Sequence, residues 1–178
     1  MKKKQVSIIV GSDSDLPVVQ SATKTLDEFG ISYSLNVASA HRTPEYVKRC
    51  IHEAERNGVK IFIAAAGMSA ALPGVVASET ILPVIGIPIE GKSLSGMDAI
   101  LSIVQMPPGI PVATVALGKS GATNAAIVAA EILSLNEPAL KKKLVAFRKK
   151  LADTVIRKDE MLNKSGIEKY ISESQKKG

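Results

Sequence analysis

One short segment of this 178-residue chain concentrates side chains that are suited to chemistry. Ser39-Ala40-His41-Arg42 places a hydroxyl, an imidazole and a guanidinium within four residues. Arg42 can pair with a phosphate or a carboxylate through parallel N–H donors, and His41 can move a proton near neutral pH. The segment therefore predicts a site for an anionic substrate with an acid–base group beside it. The alternative is that His41 is structural.

A second candidate segment is Gly11-Ser12-Asp13-Ser14-Asp15, which is followed by Leu16-Pro17. Ser14 or Asp15 is suited to cap the next helix, where free N–H groups and the helix dipole favour an anion. The two serine hydroxyls add donors. The aspartates fit this interpretation if one of them accepts hydrogen bonds from sugar hydroxyls. A plain capping loop is the alternative.

A third segment, 67–74, reads GMSAALPG and is small, apolar and bounded by glycine. Such a loop lets backbone N–H groups approach a ligand closely while it excludes water. The alternative is close packing of a helix on a strand.

Two further patterns are not assigned a role. Residues 86–93 match the phosphate-binding P-loop pattern, but Pro88 lacks an N–H donor and Glu90 would place a negative charge among the phosphates. We interpret the start of this stretch as the end of a strand. His52 lies among charged residues inside a predicted helix, and we expect no function for it.

Strands and helices alternate along the chain, so the three candidate segments follow strands. Apolar, β-branched runs predict strands, and apolar spacing of three to four predicts helices. Alternation implies a parallel sheet with helices on both faces, here a five-stranded, flavodoxin-like three-layer sandwich. Ligands in such folds bind at the carboxyl ends of the strands. The predicted strands are 5–10, 31–37, 59–66, 83–89 and 112–117, and the predicted helices are 16–29, 44–57, 72–79, 96–105 and 124–135.

The amino-acid composition of the chain excludes several classes of function. The chain is 46% hydrophobic and 22% charged, as expected for one globular domain spanning 1–178. Only 3% of residues are aromatic, which argues against stacking on nucleic-acid bases. One cysteine and two histidines predict neither a disulfide nor a metal centre. No apolar run reaches the roughly 18 residues of a membrane span, so we expect a soluble cytoplasmic protein.

The last part of the chain differs from the rest. We divide the domain into an α/β core, 1–138, and a basic helical extension, 139–178. Residues 141–178 carry 12 Lys/Arg and 5 Asp/Glu, and they account for the whole net charge of +6. Apolar residues recur every three to four positions and predict a long amphipathic helix that packs on its own domain or on a neighbouring subunit. A membrane-surface helix is the alternative. Residues 124–135 are alanine-rich, which favours burial against another subunit.

Six strings along the chain carry a combined resemblance. They are GSDSD at 11–15, SAHRTP at 39–44, AAGMSAALPG at 65–74, LPVIGIPI at 82–89, SGMDAILSIVQMPPGIPVATVA at 95–116 and NAAIVAAEIL at 124–133. Taken together, they resemble the PurE family of purine biosynthesis, and the resemblance covers nearly all of residues 5–135. The family interconverts carboxylated aminoimidazole ribonucleotides without a metal or organic cofactor. It has a flavodoxin-like fold and forms octamers. The resemblance thus implies a homo-octamer that takes a small ribonucleotide substrate, with no nucleic-acid or membrane partner.

The segment SIVQMPPGIPV is similar to class I of the family. Class I members are mutases that move the carboxylate of N5-carboxyaminoimidazole ribonucleotide (N5-CAIR) from N5 to C4, giving 4-carboxyaminoimidazole ribonucleotide (CAIR) on the route to IMP. Class I commonly reads GGAAHLPG where this chain has Ala71 in place of the histidine. One alternative is class II, which carboxylates aminoimidazole ribonucleotide with CO₂ directly. A more remote one is a flavodoxin-like nucleotide-binding module.

The resemblance also implies roles for individual residues. Ser12, Asp15 and Arg42 would bind the ribonucleotide, and His41 would be the general acid and base. Ser14 and Ser39 would add hydrogen bonds. The remaining substrate-binding candidates are Ala40, Gly67, Ser69, Ala70 and Leu72.

Overall fold

The computed structural model describes residues 3–175 as an alternation of strands and helices. The strands are β1 (Val6–Val10), β2 (Tyr33–Val37), β3 (Ile61–Gly67), β4 (Val84–Ile89) and β5 (Ala113–Thr114). The helices are α1 (Leu16–Phe29), α2 (Pro44–Arg56), α3 (Leu72–Ser78), α4 (Met97–Val104), α5 (Gly118–Ser134), α6 (Pro138–Ser165) and α7 (Ile167–Gln175).

The five strands form one parallel sheet in the order β2-β1-β3-β4-β5, which confirms the flavodoxin-like fold. Val10 at the end of β1 is level with Val37 of β2 and with Ala65 of β3. Ala65 is in turn level with Ile87 of β4. Because the strands are parallel and in this register, the loops after β1, β2, β3 and β4 all leave the same edge of the sheet.

Burial explains why the central strands are continuous apolar runs. All residues of β1 and β4 are buried, as expected for strands covered on both faces. One core cluster joins α2, α3 and α4 to the sheet around Phe62 and Ile103, whereas α1 and α5 pack on each other. Gly86 of β4 permits the close approach of α4, because a Cβ there would lie 2.5 Å from Cγ2 of Ile103.

The end of the sheet differs from the sequence prediction. Strand β5 contains two residues rather than the predicted 112–117, and α5 begins at Gly118 rather than at Asn124. The glycine- and serine-rich stretch before Asn124 has a weak helix propensity. The local backbone nevertheless requires glycine at this helix start, because a Cβ on Gly121 would lie 1.6 Å from the carbonyl oxygen of Ala116.

Helix α5 is buried by its own chain. Its contacts are with α1 and with β4 and β3. The chain itself therefore supplies the burial that the sequence analysis attributed to another subunit. The fully buried alanines of this helix are Ala122, Ala125, Ala126, Ala129 and Ala130.

The contacts divide the chain into two compact units, the first ending at Asn136 and the second beginning at Glu137. The second unit contains the predicted long amphipathic helix, α6, which has 28 residues. Gly166 follows it with a φ of 75° and separates it from α7. Within residues 3–175, no helix combines the length and apolar character that crossing a membrane requires.

Candidate functional site

The loops after β1, β2, β3 and β4 surround a cleft of about 700 Å³ at the carboxyl edge of the sheet. Every residue of the predicted site except Ala70 lines this cleft. The lining residues are Gly11, Ser12, Ser14, Asp15, Ser39, Ala40, His41, Arg42, Ala66, Gly67, Met68, Ser69, Ala71, Leu72, Ile89, Glu90 and Gly91.

The loop after β1 is folded by its own serines. Ser12 caps a single 3₁₀ turn, Asp13–Asp15, by accepting a hydrogen bond from the backbone N–H of Ser14 at 3.3 Å. The Ser14 hydroxyl also donates to Oγ of Ser12 at 2.8 Å. Ser12 is therefore the capping residue of this turn, which precedes the helix for which Ser14 or Asp15 was predicted as the N-cap.

Asp15 occupies the N-cap position of α1, as predicted, but its side chain makes no capping hydrogen bond. A capping side chain accepts from the second or third helical N–H, and the second helical residue is Pro17, which has none. The carboxyl group of Asp15 is instead buried at the cleft, with the residue 9% exposed.

Burial dominates the acid–base behaviour of Asp15. Loss of solvent raises the pKa of its carboxyl group above the ordinary value of 3.8. Hydrogen bonds from the Ser14 hydroxyl and the Ser12 backbone oppose the rise in pKa, and the neighbouring charge of Asp13 adds to it. The cleft thus contains a carboxyl group that lacks the solvation it would have in the unfolded chain.

Arg42 joins the loop after β2 to the loop after β1. Its Nη2 donates to the carbonyl oxygen of Gly11 at 3.0 Å, and its Nε donates to Oγ of Ser39 at 3.3 Å. Ser39 Oγ also accepts from the backbone N–H of Arg42 at 3.2 Å. Thr43 Oγ1 closes the loop by accepting from the N–H of Ser39 at 3.0 Å. The guanidinium is thereby oriented at the cleft while several of its donors stay available.

His41 lines the cleft between Ala40 and Arg42 and is exposed to solvent. His52 is exposed in α2 and is not among the cleft residues. The structure therefore places the two histidines as the sequence analysis proposed, one at the cleft and the other away from it.

The loop after β3 bonds some of its backbone N–H groups internally, whereas its sequence predicted N–H groups that approach a ligand. The N–H of Ala70 donates to the carbonyl of Met68 at 2.8 Å, and that of Ala71 donates to Ser69 at 2.7 Å. These two N–H groups are thus bonded within the loop. Ala70 is 1% exposed and packs in the hydrophobic core, and it does not line the cleft. Leu72 begins α3 and contributes to the cleft from a buried position.

Sequence reasoning missed cleft residues from two loops. Met68 and Ala71 were not assigned, although they belong to a loop that was. Glu90 and Gly91 follow β4 and were considered only within the P-loop pattern. Gly86 to Ile89 are strand residues, as we interpreted them, so that pattern forms no phosphate loop. The signal that could have found Glu90 and Gly91 is their position after a buried strand.

The cleft has two chemically different sides. The polar wall comprises Ser12, Ser14, Asp15, Ser39, His41 and Arg42, from the loops after β1 and β2. The apolar wall comprises Ala66, Met68, Ala71, Leu72 and Ile89, from β3, β4 and the loop after β3, and the polar residues beside it are Ser69 and Glu90. Such a cleft can bind an anionic, hydroxyl-bearing molecule on one side and shield an apolar reacting group on the other.

Two other observations bear on the site. Within residues 3–175, no group of three or more His, Cys, Asp or Glu is arranged to hold a metal ion. A larger cavity, of about 840 Å³, opens at the amino end of β4 beside the fully exposed Ile81. This larger cavity contains none of the predicted site residues. The side chains suited to catalysis and anion binding all line the smaller cleft, which is therefore the candidate site.

Comparison with known proteins gives a consistent set of relatives. The AIR carboxylase family model matches residues 5–154. The N5-carboxyaminoimidazole ribonucleotide mutase of Pyrococcus horikoshii is 49% identical over 172 residues, which are 97% of this chain and 96% of that protein. The mutase of Pyrococcus abyssi is 55% identical over 144 residues, which are 81% and 82% of the two chains. The crystal structure of Treponema denticola PurE superposes with a TM-score of 0.82 at 33% identity, covering 89% of this chain and 98% of that one.

The raised pKa of Asp15 predicts that the free energy of unfolding depends on pH. Above pH 3.8 the native chain holds this proton more strongly than the unfolded chain, so the free energy of unfolding falls as the pH rises through the native pKa. Asp15→Asn removes the buried charge. We therefore expect it to raise the melting temperature at about pH 7.5 and to change it less at about pH 3.5. Thermal unfolding followed by circular dichroism at both pH values measures this.

Glu28→Gln, at an exposed position of α1, controls for the loss of one carboxylate from the chain. A melting-temperature gain for Asp15→Asn that is equal at the two pH values would contradict the burial argument.

Proposed function

The chain belongs to the AIR carboxylase family, and from this we infer that it is an N5-carboxyaminoimidazole ribonucleotide mutase of purine biosynthesis. It is therefore an isomerase that converts N5-CAIR to CAIR. The observation that carries the assignment to this cleft is the pairing of an anion-binding polar wall, which includes one imidazole, with an apolar wall. Direct carboxylation with CO₂ is the less favoured reaction, because relatives that match nearly the whole of this chain over nearly their own whole length are named as mutases. A relative named as a carboxylase also matches 96% of this chain, but the match spans only 30% of that protein.

The polar wall fits a ribonucleotide. Arg42 would bind the phosphate with the guanidinium donors that Gly11 and Ser39 leave free, and the hydroxyls of Ser12, Ser14 and Ser39 would add hydrogen bonds. Asp15 would accept from the ribose hydroxyls. A buried carboxylate without a capping bond is suited to this, because sugar hydroxyls would replace the water that it has lost.

His41 is the group that moves protons. In the first half of the reaction the N5–carboxylate bond breaks, its electron pair returns to N5, and a proton from the His41 imidazolium neutralises N5. The products of this half are CO₂ and aminoimidazole ribonucleotide. In the second half the enamine-like ring attacks CO₂ through C4, and the neutral imidazole then removes the C4 proton. The reaction is an isomerisation and returns His41 to its starting state.

The apolar wall would hold CO₂ next to the ring between the two halves. A trapped molecule has a large effective concentration, which can replace a cofactor in driving recapture. Gly67, Ser69 and Ala40 would form the boundary between the two walls, and Leu72 would contribute apolar surface. Ala70 would act only indirectly, by packing the loop onto the core.

We further propose that the protein is a homo-octamer that acts in the cytoplasm, without a metal or an organic cofactor. Support for assembly comes from large apolar side chains that are exposed on the first unit, Leu35, Val37, Ile81, Leu94 and Leu101 among them. The basic second unit, with its exposed Leu151 and Val155, offers further surface for contacts between copies.

A paired assay on one preparation tests the reaction type. In CO₂-stripped buffer, N5-CAIR is expected to give CAIR rapidly, because the carboxylate is supplied by the substrate itself. Aminoimidazole ribonucleotide with excess bicarbonate is expected to give CAIR far more slowly. CAIR formed only in the second arm would contradict the mutase assignment and establish a direct carboxylase.

His41→Asn should preserve ribonucleotide binding and lower turnover on the order of 10²-fold or more, because asparagine hydrogen-bonds but does not transfer the proton. Steady-state kinetics and a direct binding measurement separate the two effects. The matched control is His52→Asn, which removes the histidine that lies away from the cleft. Near-normal turnover in His41→Asn would remove His41 from the mechanism.

Arg42→Ala should weaken ribonucleotide binding by about 10-fold to 100-fold, because the phosphate loses a charged, two-pronged donor. Isothermal titration with the ribonucleotide product measures the dissociation constant. Arg49→Ala is the matched control, since Arg49 is exposed on α2 with its guanidinium 5.4 Å from the ring centre of Tyr46. An unchanged dissociation constant in Arg42→Ala would exclude Arg42 from the binding site.

A further inference from the structure

Met68 combines three properties that no other residue of its loop has together. It has a φ of 57°, in the left-handed region that residues other than glycine rarely occupy. Its side chain is 69% exposed although it is apolar. It also lines the cleft, on the apolar wall. A large apolar group is thus held in an unfavourable backbone conformation and in contact with water at the mouth of the site.

The surrounding contacts direct this side chain along the apolar side of the cleft. The hydrogen bond from the Ala70 N–H to the carbonyl of Met68 holds the turn. Gly91, in the loop after β4, is the near neighbour on the other side: a Cβ built on it would lie 3.7 Å from Cγ of Met68. Met68 therefore extends from the loop after β3 toward the loop after β4, where a Cβ at position 91 would be in ordinary van der Waals contact with it.

The other members of the apolar wall cannot change the access of water to the cleft. Ala66 and Ala71 are small, whereas Leu72 and Ile89 are buried in the fold. Met68 alone in this wall is large, exposed and unbranched, and a methionine side chain has the flexibility to cover a ligand of irregular shape.

We propose that Met68 is a specificity-determining residue that retains CO₂ in the cleft. This inference rests on the proposed function. Between the two halves of the reaction, CO₂ can follow either of two courses. Recapture forms the C4–carboxylate bond and releases the C4 proton, giving CAIR. Escape leaves aminoimidazole ribonucleotide behind, and CO₂ is hydrated to bicarbonate. Met68 favours recapture by covering the apolar wall while CO₂ is free.

The test follows the carboxylate itself. N5-CAIR labelled with ¹³C in its carboxylate is given to the enzyme in buffer that contains unlabelled bicarbonate. Mass spectrometry measures the label in CAIR, and the same samples give the amount of aminoimidazole ribonucleotide released. An arm without enzyme corrects for spontaneous decarboxylation.

Met68→Gly is the decisive variant, because glycine adopts a positive φ without strain and the fold should be kept. We expect the fraction of carboxylate lost per turnover to rise about fivefold or more, with the ribonucleotide dissociation constant within about twofold of the wild type. Met68→Leu keeps a large apolar group and should retain the label nearly as well as the wild type. Met97→Ala, at an exposed methionine outside the cleft lining, is the matched control.

Two outcomes count against the inference, and they are distinguishable. If the wild type makes labelled CAIR and Met68→Gly retains the label equally well, the role of Met68 is overturned and the mutase assignment stands. If the wild type makes no CAIR from N5-CAIR, the proposed function fails and the role of Met68 fails with it. Loss of label in Met68→Gly but not in Met68→Leu supports the inference.

Discussion

The parallel register of the sheet is the constraint on which the site depends. Each strand must be level with its neighbour for the loops after β1, β2, β3 and β4 to meet at one edge, and the pairs Val10–Val37, Val10–Ala65 and Ala65–Ile87 have this alignment. Parallel strands obtain it by burial on both faces, because a slip of one residue would exchange the two sets of core side chains. The core that stabilises the fold thus also positions the chemistry.

Within this frame the two walls are held by different interactions. The polar wall is held by directional bonds: Arg42 bridges to the carbonyl of Gly11, and Ser12 and Ser39 accept from their own loops. The apolar wall is held by packing, with Leu72 buried and Ala70 in the core. Directional bonds orient charged groups toward a ligand, whereas packing produces a surface that excludes water. A reaction that needs both an anchored anion and a dry reacting group suits this division.

Two residues show that the cleft is not optimised for stability. The carboxyl group of Asp15 is buried at the cost of its solvation, and this raises its pKa. Met68 has a positive φ although it is not glycine. Both features lower the stability of the protein without a ligand. Such features concentrate where a protein binds or transforms a ligand. That they occur on opposite walls of one cleft strengthens the case that this cleft is the functional site.

Local sequence patterns by themselves determined the order of the elements and the composition of the polar wall. Helix α1 was predicted to the residue, and the segment around His41 and Arg42 was recognised, because apolar period and loop chemistry are local properties. Tertiary structure alone decided which residues meet. The core drew Ala70 inward, and the register brought Glu90 to the cleft. These outcomes depend on distances between elements that are remote in the chain, and no local pattern records such distances.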